Sequence, residues 1–152
     1  MEIDTKKLIK DIKDTANEQG SLLAELKAKY PITDFVSYDE FNLQDRLSIL
    51  PMKIVEYQEY HIKEKAMLEA LEDQRVDIAG QLYEHYRFSA NEKLDKYEIK
   101  EYYIPRHPSI QSMDKIIRRQ RITVEYMEGC LKALDKMSWG IKDFIKTARG
   151  AL

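Results

Sequence analysis

A single cysteine, Cys130, leaves no partner for an internal disulfide. A disulfide-stapled scaffold is excluded, and the expected compartment is reducing and cytoplasmic. Only five glycines and four prolines occur in 152 residues. With abundant Leu, Ile, Glu and Lys, that scarcity favours helices over sheets. No apolar run approaches the ~20 residues that cross a bilayer. The opening stretch MEIDTKKLIKDIKD is charged throughout and is no signal peptide, so a soluble protein is expected. Enzyme motifs are missing too. There is no Gly-rich phosphate loop, no GxSxG, no HExxH and no CxxC. His61, His85 and His107 lie far apart, and Cys130 falls in an apolar row that suits a buried, inert thiol. Catalysis, a metal and a cofactor are therefore not expected.

What is present is charge, unevenly placed. The chain carries a formal −2, but residues 31–88 hold −6 while residues 113–152 hold nine Lys and Arg against five Asp and Glu. Such separation can join subunits or offer a cationic surface to a polyanion. The length fits one domain.

Helical spacing runs through most of the chain. Residues 4–29 read as a helix with Asp4 as N-cap and Leu8, Ile12, Leu22 and Leu26 near one face. Tyr30-Pro31 should end it. Residues 31–50 read as a connector with a short helix around 39–49, closed by Pro51. Residues 52–88 form the longest uninterrupted stretch, with Leu68, Leu71, Ile78 and Leu82 as its buried stripe. Residues 89–112 read as a mixed connector in which IPRHPS is a loop. Ser109 or Ser112 would cap a last helix over about 113–150. In that helix, with Ile117 at heptad position a, Val124, Leu131 and Ile145 also fall at a, and Met127, Leu134 and Ile141 at d. Gln120 and Ser138 interrupt the seam, and Ile116, Tyr126, Cys130, Met137 and Phe144 form a second apolar row. The fold class is all-α, with long helices and coiled-coil-like packing.

The run KIIRRQRITVEY (115–126) holds Lys115, Arg118, Arg119 and Arg121. Cations on a helix face can neutralise phosphates, with salt-sensitive affinity. Ten tyrosines, including Tyr57/Tyr60, Tyr83/Tyr86 and Tyr102/Tyr103, could stack on unpaired bases. The plainer reading is a solvated basic face and tyrosines at a core edge with wet hydroxyls. A structural helical scaffold or assembly protein without DNA binding fits these features equally well.

Order and spacing of longer stretches add to this. EDQRVDIAGQLYEHYRFSANEK (72–93), then YY-x-P at 102–105, then MDKIIRRQRITVEYMEGCLKALDKMSWGIKDFIKTARG (113–150) resemble the UvsY-like recombination mediators of T-even-type phages. The matching elements are Leu82-Tyr83-Glu84-His85-Tyr86, Ala133-Leu134-Asp135, Ser138-Trp139-Gly140 and Ile141-Lys142, within residues 52–150. The resemblance implies a non-enzymatic homo-oligomeric ring, hexameric or heptameric, in the cytoplasm of an infected bacterial host. Such a ring binds single-stranded DNA and helps load a RecA-like recombinase onto strands covered by single-strand-binding protein. It implies oligomerisation through the last helix, here Val124, Met127, Leu131, Leu134, Ile141 and Ile145. Where the family places basic DNA contacts, just before the tyrosine motif, this chain has Gly80 and Leu82. The DNA contacts are therefore assigned to Arg75, Arg87, Arg118, Arg119 and Arg121. The rival assignment pairs Arg118–Arg121 with the acidic 51–88 helix of a neighbouring subunit.

Overall fold

The structure is a computed structural model that describes residues 2–89 and 94–150. Among the described residues there are helices and no strands. The expected all-α class is met.

Helix α1 spans Thr5–Lys29 and starts where Asp4 caps it, its Oδ1 accepting the backbone N–H groups of Lys6 (3.1 Å) and Lys7 (3.2 Å). The apolar stripe is used only in part. Leu22 and Leu26 are buried, whereas Leu8 and Ile12 stay exposed. The chain leaves the helix at Tyr30-Pro31 as expected, and two hydroxyls hold that exit. Tyr57 donates to the Pro31 carbonyl at 2.7 Å, and Tyr126 donates to the Tyr30 carbonyl at 2.8 Å. Carbonyls at a helix end lack partners within the helix, and these bonds bring donors to the chain as it leaves α1.

A single turn, α2 (Thr33–Val36), leads to α3, Leu43–Glu84. Before it, the Asp39 carboxylate accepts the N–H groups of Phe41 and Asn42, and the Asn42 side chain accepts the N–H of Asp39. This reciprocal cap starts the helix about nine residues earlier than the proline had suggested. Pro51 lies inside α3 and does not break it. The proline costs the helix one bond, because it has no N–H to offer the Leu47 carbonyl.

After α3 comes a π-helical turn, His85–Ser89. Residues 90–93 of the expected connector lie outside the described residues. The chain continues as α4 (Lys96–Glu98), a second π-helical turn (Ile99–Tyr103), α5 (Ile104–Arg106) and α6 (Pro108–Gly150). IPRHPS is thus not a loop, since only His107 within it is extended. Pro108 takes the first helical position, where a missing N–H is harmless. The cap is His107, whose Nδ1 accepts the Ser109 N–H at 3.2 Å, rather than either serine.

The chain divides into two compact units, one of Met1–Gln58 with Tyr126–Leu152, the other of Glu59–Glu125. In the first, Leu22, Leu26, Leu50, Tyr57, Met127, Leu134, Met137 and Ile141 are buried. In the second, Ile99, Ile104 and Ile110 form a core against which Ile78, Ala79, Leu82, Tyr83, Tyr86 and Leu94 pack. The heptad of α6 is real as a periodicity, but it serves this chain's own interior. Val124, Met127, Leu134 and Ile141 are buried, with Met127 and Leu134 at 0% exposure. A side chain with no exposed surface has none to give a second subunit. Leu131 and Ile145 are half-buried.

Candidate nucleic-acid interface

Within the second unit α3 and α6 run antiparallel, tied by polar pairs. Gln120 Nε2 donates to Glu64 Oε2 at 2.7 Å and to the Glu64 carbonyl at 2.8 Å. Gln120 is one of the two residues that interrupt the heptad, and its role is to satisfy a buried carboxylate. Further along, Arg75 Nε donates to Asp114 Oδ1 at 2.5 Å and Nη2 reaches Oδ2 at 3.5 Å. Arg121 Nη2 meets Glu72 Oε1 at 3.1 Å.

These residues line a recess of about 460 Å³ formed by Glu72, Arg75 and Val76 of α3 and Asp114, Ile117, Arg118 and Arg121 of α6. The spacing explains the convergence. Positions 72, 75 and 76 are i, i+3 and i+4 on one helix, and 114, 117, 118 and 121 are i, i+3, i+4 and i+7 on the other. Val76 and Ile117 supply apolar wall, while three guanidinium groups face two carboxylates. The Asp114 carboxylate bonds the Arg75 guanidinium and holds it above its ordinary range, against a smaller opposing effect of burial. Both ion pairs are partly solvated, with more than a third of each side chain exposed. Such pairs contribute only about 0–1 kcal/mol to stability and can change partners at little cost.

Three of the five arginines assigned to DNA therefore share one recess: Arg75, Arg118 and Arg121. Arg119 is exposed and is not among the lining residues. Arg87 donates to the Leu94 carbonyl at 3.0 Å, bridging the segments on either side of residues 90–93. The acidic helix that meets Arg121 belongs to the same chain. Glu72 and Asp114 were not singled out in the sequence, although their helical spacing from the arginines was visible there.

The first unit holds a second polar cluster. Burial pushes the Tyr126 phenol well above its ordinary value, and neighbouring Cys130 adds to the rise. Burial likewise pushes the Cys130 thiol up, against the lowering effect of its bond with Tyr126. A thiol held neutral is a poor nucleophile. Among the described residues no group of three His, Cys, Asp or Glu is placed to hold a metal. None of the described helices is long and apolar enough to cross a membrane.

The fold and the recess define an all-α chain whose longest helices, α3 and α6, meet in an arginine-rich hollow. No protein-family model matches the chain, and no curated protein matches it in sequence. Two solved structures share its fold, both of the bacteriophage T4 recombination mediator protein UvsY. They superpose with TM-scores of 0.67 (lattice type II) and 0.66 (lattice type I), each at 20% identity. Each alignment covers 87% of this chain, and respectively 96% and 99% of the other. The resemblance read from residues 52–150 is thus met at the level of fold.

Proposed function

We propose that this chain is a recombination mediator. It binds single-stranded DNA and promotes loading of a RecA-like recombinase onto strands covered by single-strand-binding protein, in the cytoplasm of a phage-infected bacterium. The observation that supports this reading is the fold likeness to a recombination mediator over 87% of the chain. The recess gives the reading a place to act. Its three guanidinium groups can take successive phosphates, releasing condensed counterions. Glu72 holds Arg121 and Asp114 holds Arg75 in place in the absence of a strand.

The working form is a homo-oligomeric ring, hexameric or heptameric, in which repeated weak sites act together through high effective concentration. Its subunit contacts use apolar side chains left exposed on α3 and α6, such as Met52, Val55 and Trp139. The chain performs no catalysis itself, and nucleotide hydrolysis belongs to the recombinase.

The test is a fluorescence-anisotropy titration of labelled oligo(dT) at several salt concentrations. Wild type should bind with affinity that falls steeply as salt rises. Arg75→Ala/Arg118→Ala/Arg121→Ala should bind weakly, with the log–log salt slope reduced by about 2, at ~0.7 per lost phosphate contact. No binding by wild type at low salt would leave the helical-scaffold reading in its place.

A further inference from the structure

The two π-helical turns carry a feature that the arginine recess does not use. His85 and Tyr86 lie on the first, and Tyr102 and Tyr103 on the second. Their rings form a continuous line. His85 meets Tyr86 at 5.5 Å between centroids, Tyr86 meets Tyr103 at 5.3 Å, and Tyr103 meets Tyr102 at 5.3 Å. The Arg106 guanidinium sits over Tyr102 at 4.0 Å, and its Nη1 donates to the Tyr102 carbonyl at 3.3 Å. Lys100 lies over Tyr83 at 5.8 Å. π-Helical turns are rare and concentrate at functional sites.

The line has a fixed base and a wet edge. Tyr83 and Tyr86 pack on the Ile99–Ile104–Ile110 core. Tyr102 is 54% exposed, and Tyr97, five residues earlier on the adjoining helical turn, is 71% exposed. Tyr97 joins no ring pair among the described residues, which leaves its faces open. Tyr102 thus leaves part of its ring in water beside the Arg106 guanidinium.

Charge narrows what can bind. Between Glu84 and Arg106 the described residues include four acids (Glu84, Asp95, Glu98, Glu101) and four bases (Arg87, Lys96, Lys100, Arg106). This surface carries no net charge, so it has no general pull on a polyanion. It is also poorly suited to an apolar helix, because charges break up the rings. What it offers is flat π surface with the Arg106 guanidinium stacked on it, which matches unpaired nucleobases.

We infer that Tyr97, Tyr102 and Arg106 form a base-stacking subsite for single-stranded DNA, separate from the phosphate-binding recess. This rests on the DNA-binding reading above and adds to it how the bases are held. Under this proposal one strand uses both sites. Arg75 and the end of α3 at Glu84 are nine residues apart, roughly 14 Å at ~1.5 Å per residue. That spacing lies within the length of strand that several nucleotides occupy on one protein. Phosphates in the recess set affinity and its salt dependence, while stacking adds a contribution that salt hardly changes.

The experiment compares labelled oligo(dT) with an abasic oligonucleotide of equal length, titrated with full-length protein across salt. Wild type should prefer oligo(dT) by roughly tenfold or more. Tyr97→Ala/Tyr102→Ala should lose that preference, keep the affinity for the abasic strand and keep the salt slope. Tyr97→Ala alone, at a highly exposed position, should lose part of the preference with an unchanged melting temperature. The arginine triple variant should weaken both strands alike and keep the preference. Equal wild-type binding to both strands would overturn the stacking subsite and leave the mediator reading standing. Equal loss of both strands in the aromatic variant would also overturn it, since the rings would then act through the fold. Failure of wild type to bind either strand would remove the DNA-binding reading itself.

Discussion

Gln120 reaches across from α6 to satisfy Glu64 on α3 twice, once at the carboxylate and once at the backbone carbonyl. Glu64 is buried, so its oxygens depend on donors inside the protein. Gln120→Leu should therefore lower unfolding free energy by about 1–3 kcal/mol, the cost of leaving a buried acceptor short of a donor. Replacing both residues with leucine should cost less than Gln120→Leu alone, because no buried charge then remains. Urea denaturation of the three variants checks this.

Tyr126 makes stability depend on high pH. Burial holds its phenol above the ordinary value of 10. The unfolded chain gives up that proton first, so the stabilisation is complete below pH ~10 and is lost as pH rises beyond it. Tyr126→Phe should flatten this fall relative to wild type in melts between pH 9 and 11. At neutral pH the variant should be less stable by about 1 kcal/mol, for the lost hydrogen bond to the Tyr30 carbonyl.

Asp114 competes with any phosphate that enters the recess. Asp114→Asn keeps the shape, removes one negative charge and releases Arg75. Affinity for oligo(dT) at low salt should rise several-fold, since each opposing charge near a solvated site is worth about 0–1 kcal/mol. An unchanged or lower affinity in the same titration would place the strand elsewhere.

The buried heptad and the exposed apolar rows should behave differently. Leu134→Glu places a carboxylate at a position with no exposure and should unfold the chain, read as loss of helical circular dichroism. Met52→Glu/Val55→Glu changes side chains that are exposed on α3 and should leave helicity intact. If α3 lies in the ring contacts, light scattering will show this second variant as smaller species.

Gly140 and Gly129 both lie in α6, yet they should respond differently to alanine. A Cβ on Gly129 meets nothing within 4 Å, so Gly129→Ala should stabilise by up to about 1 kcal/mol. A Cβ on Gly140 would collide with the Tyr38 hydroxyl, so part or all of that gain should be lost there. Thermal melts compare the two. The contact also gives a physical reason for glycine in the Ser138-Trp139-Gly140 element. Tyr38 packs edge-on against Phe144, one turn further along.

Local signals were the legible ones. The Asp4 cap, the helix end at Tyr30-Pro31 and the period of α6 follow from short-range chemistry, and each is where the sequence placed it. Pro51 misled because a proline signals a boundary only when nothing else holds the helix together, and α3 has its own cap at Asp39–Asn42. Leu8 and Ile12 were expected to share the fate of Leu22 and Leu26, but periodicity does not say which part of a stripe finds a neighbour. For the same reason Val124, Met127, Leu134 and Ile141 read as a seam between subunits when they line the interior of one. Arg75, Arg118 and Arg121 could be nominated individually from charge. That they meet, with Glu72 and Asp114 between them, depends on the antiparallel register of α3 and α6, which no local pattern encodes. The π-helical turns at His85 and Ile99 had no signature at all.

Helix α1 is fixed at one end. From Glu2 to Ser21 every side chain is exposed, and the hold on the helix comes from Leu22, Leu26 and the two tyrosine hydroxyls at its exit. The first unit would keep its whole interior if a protease clipped residues 2–18. The N-terminal turns of α1 therefore add length to the first unit and nothing to its interior.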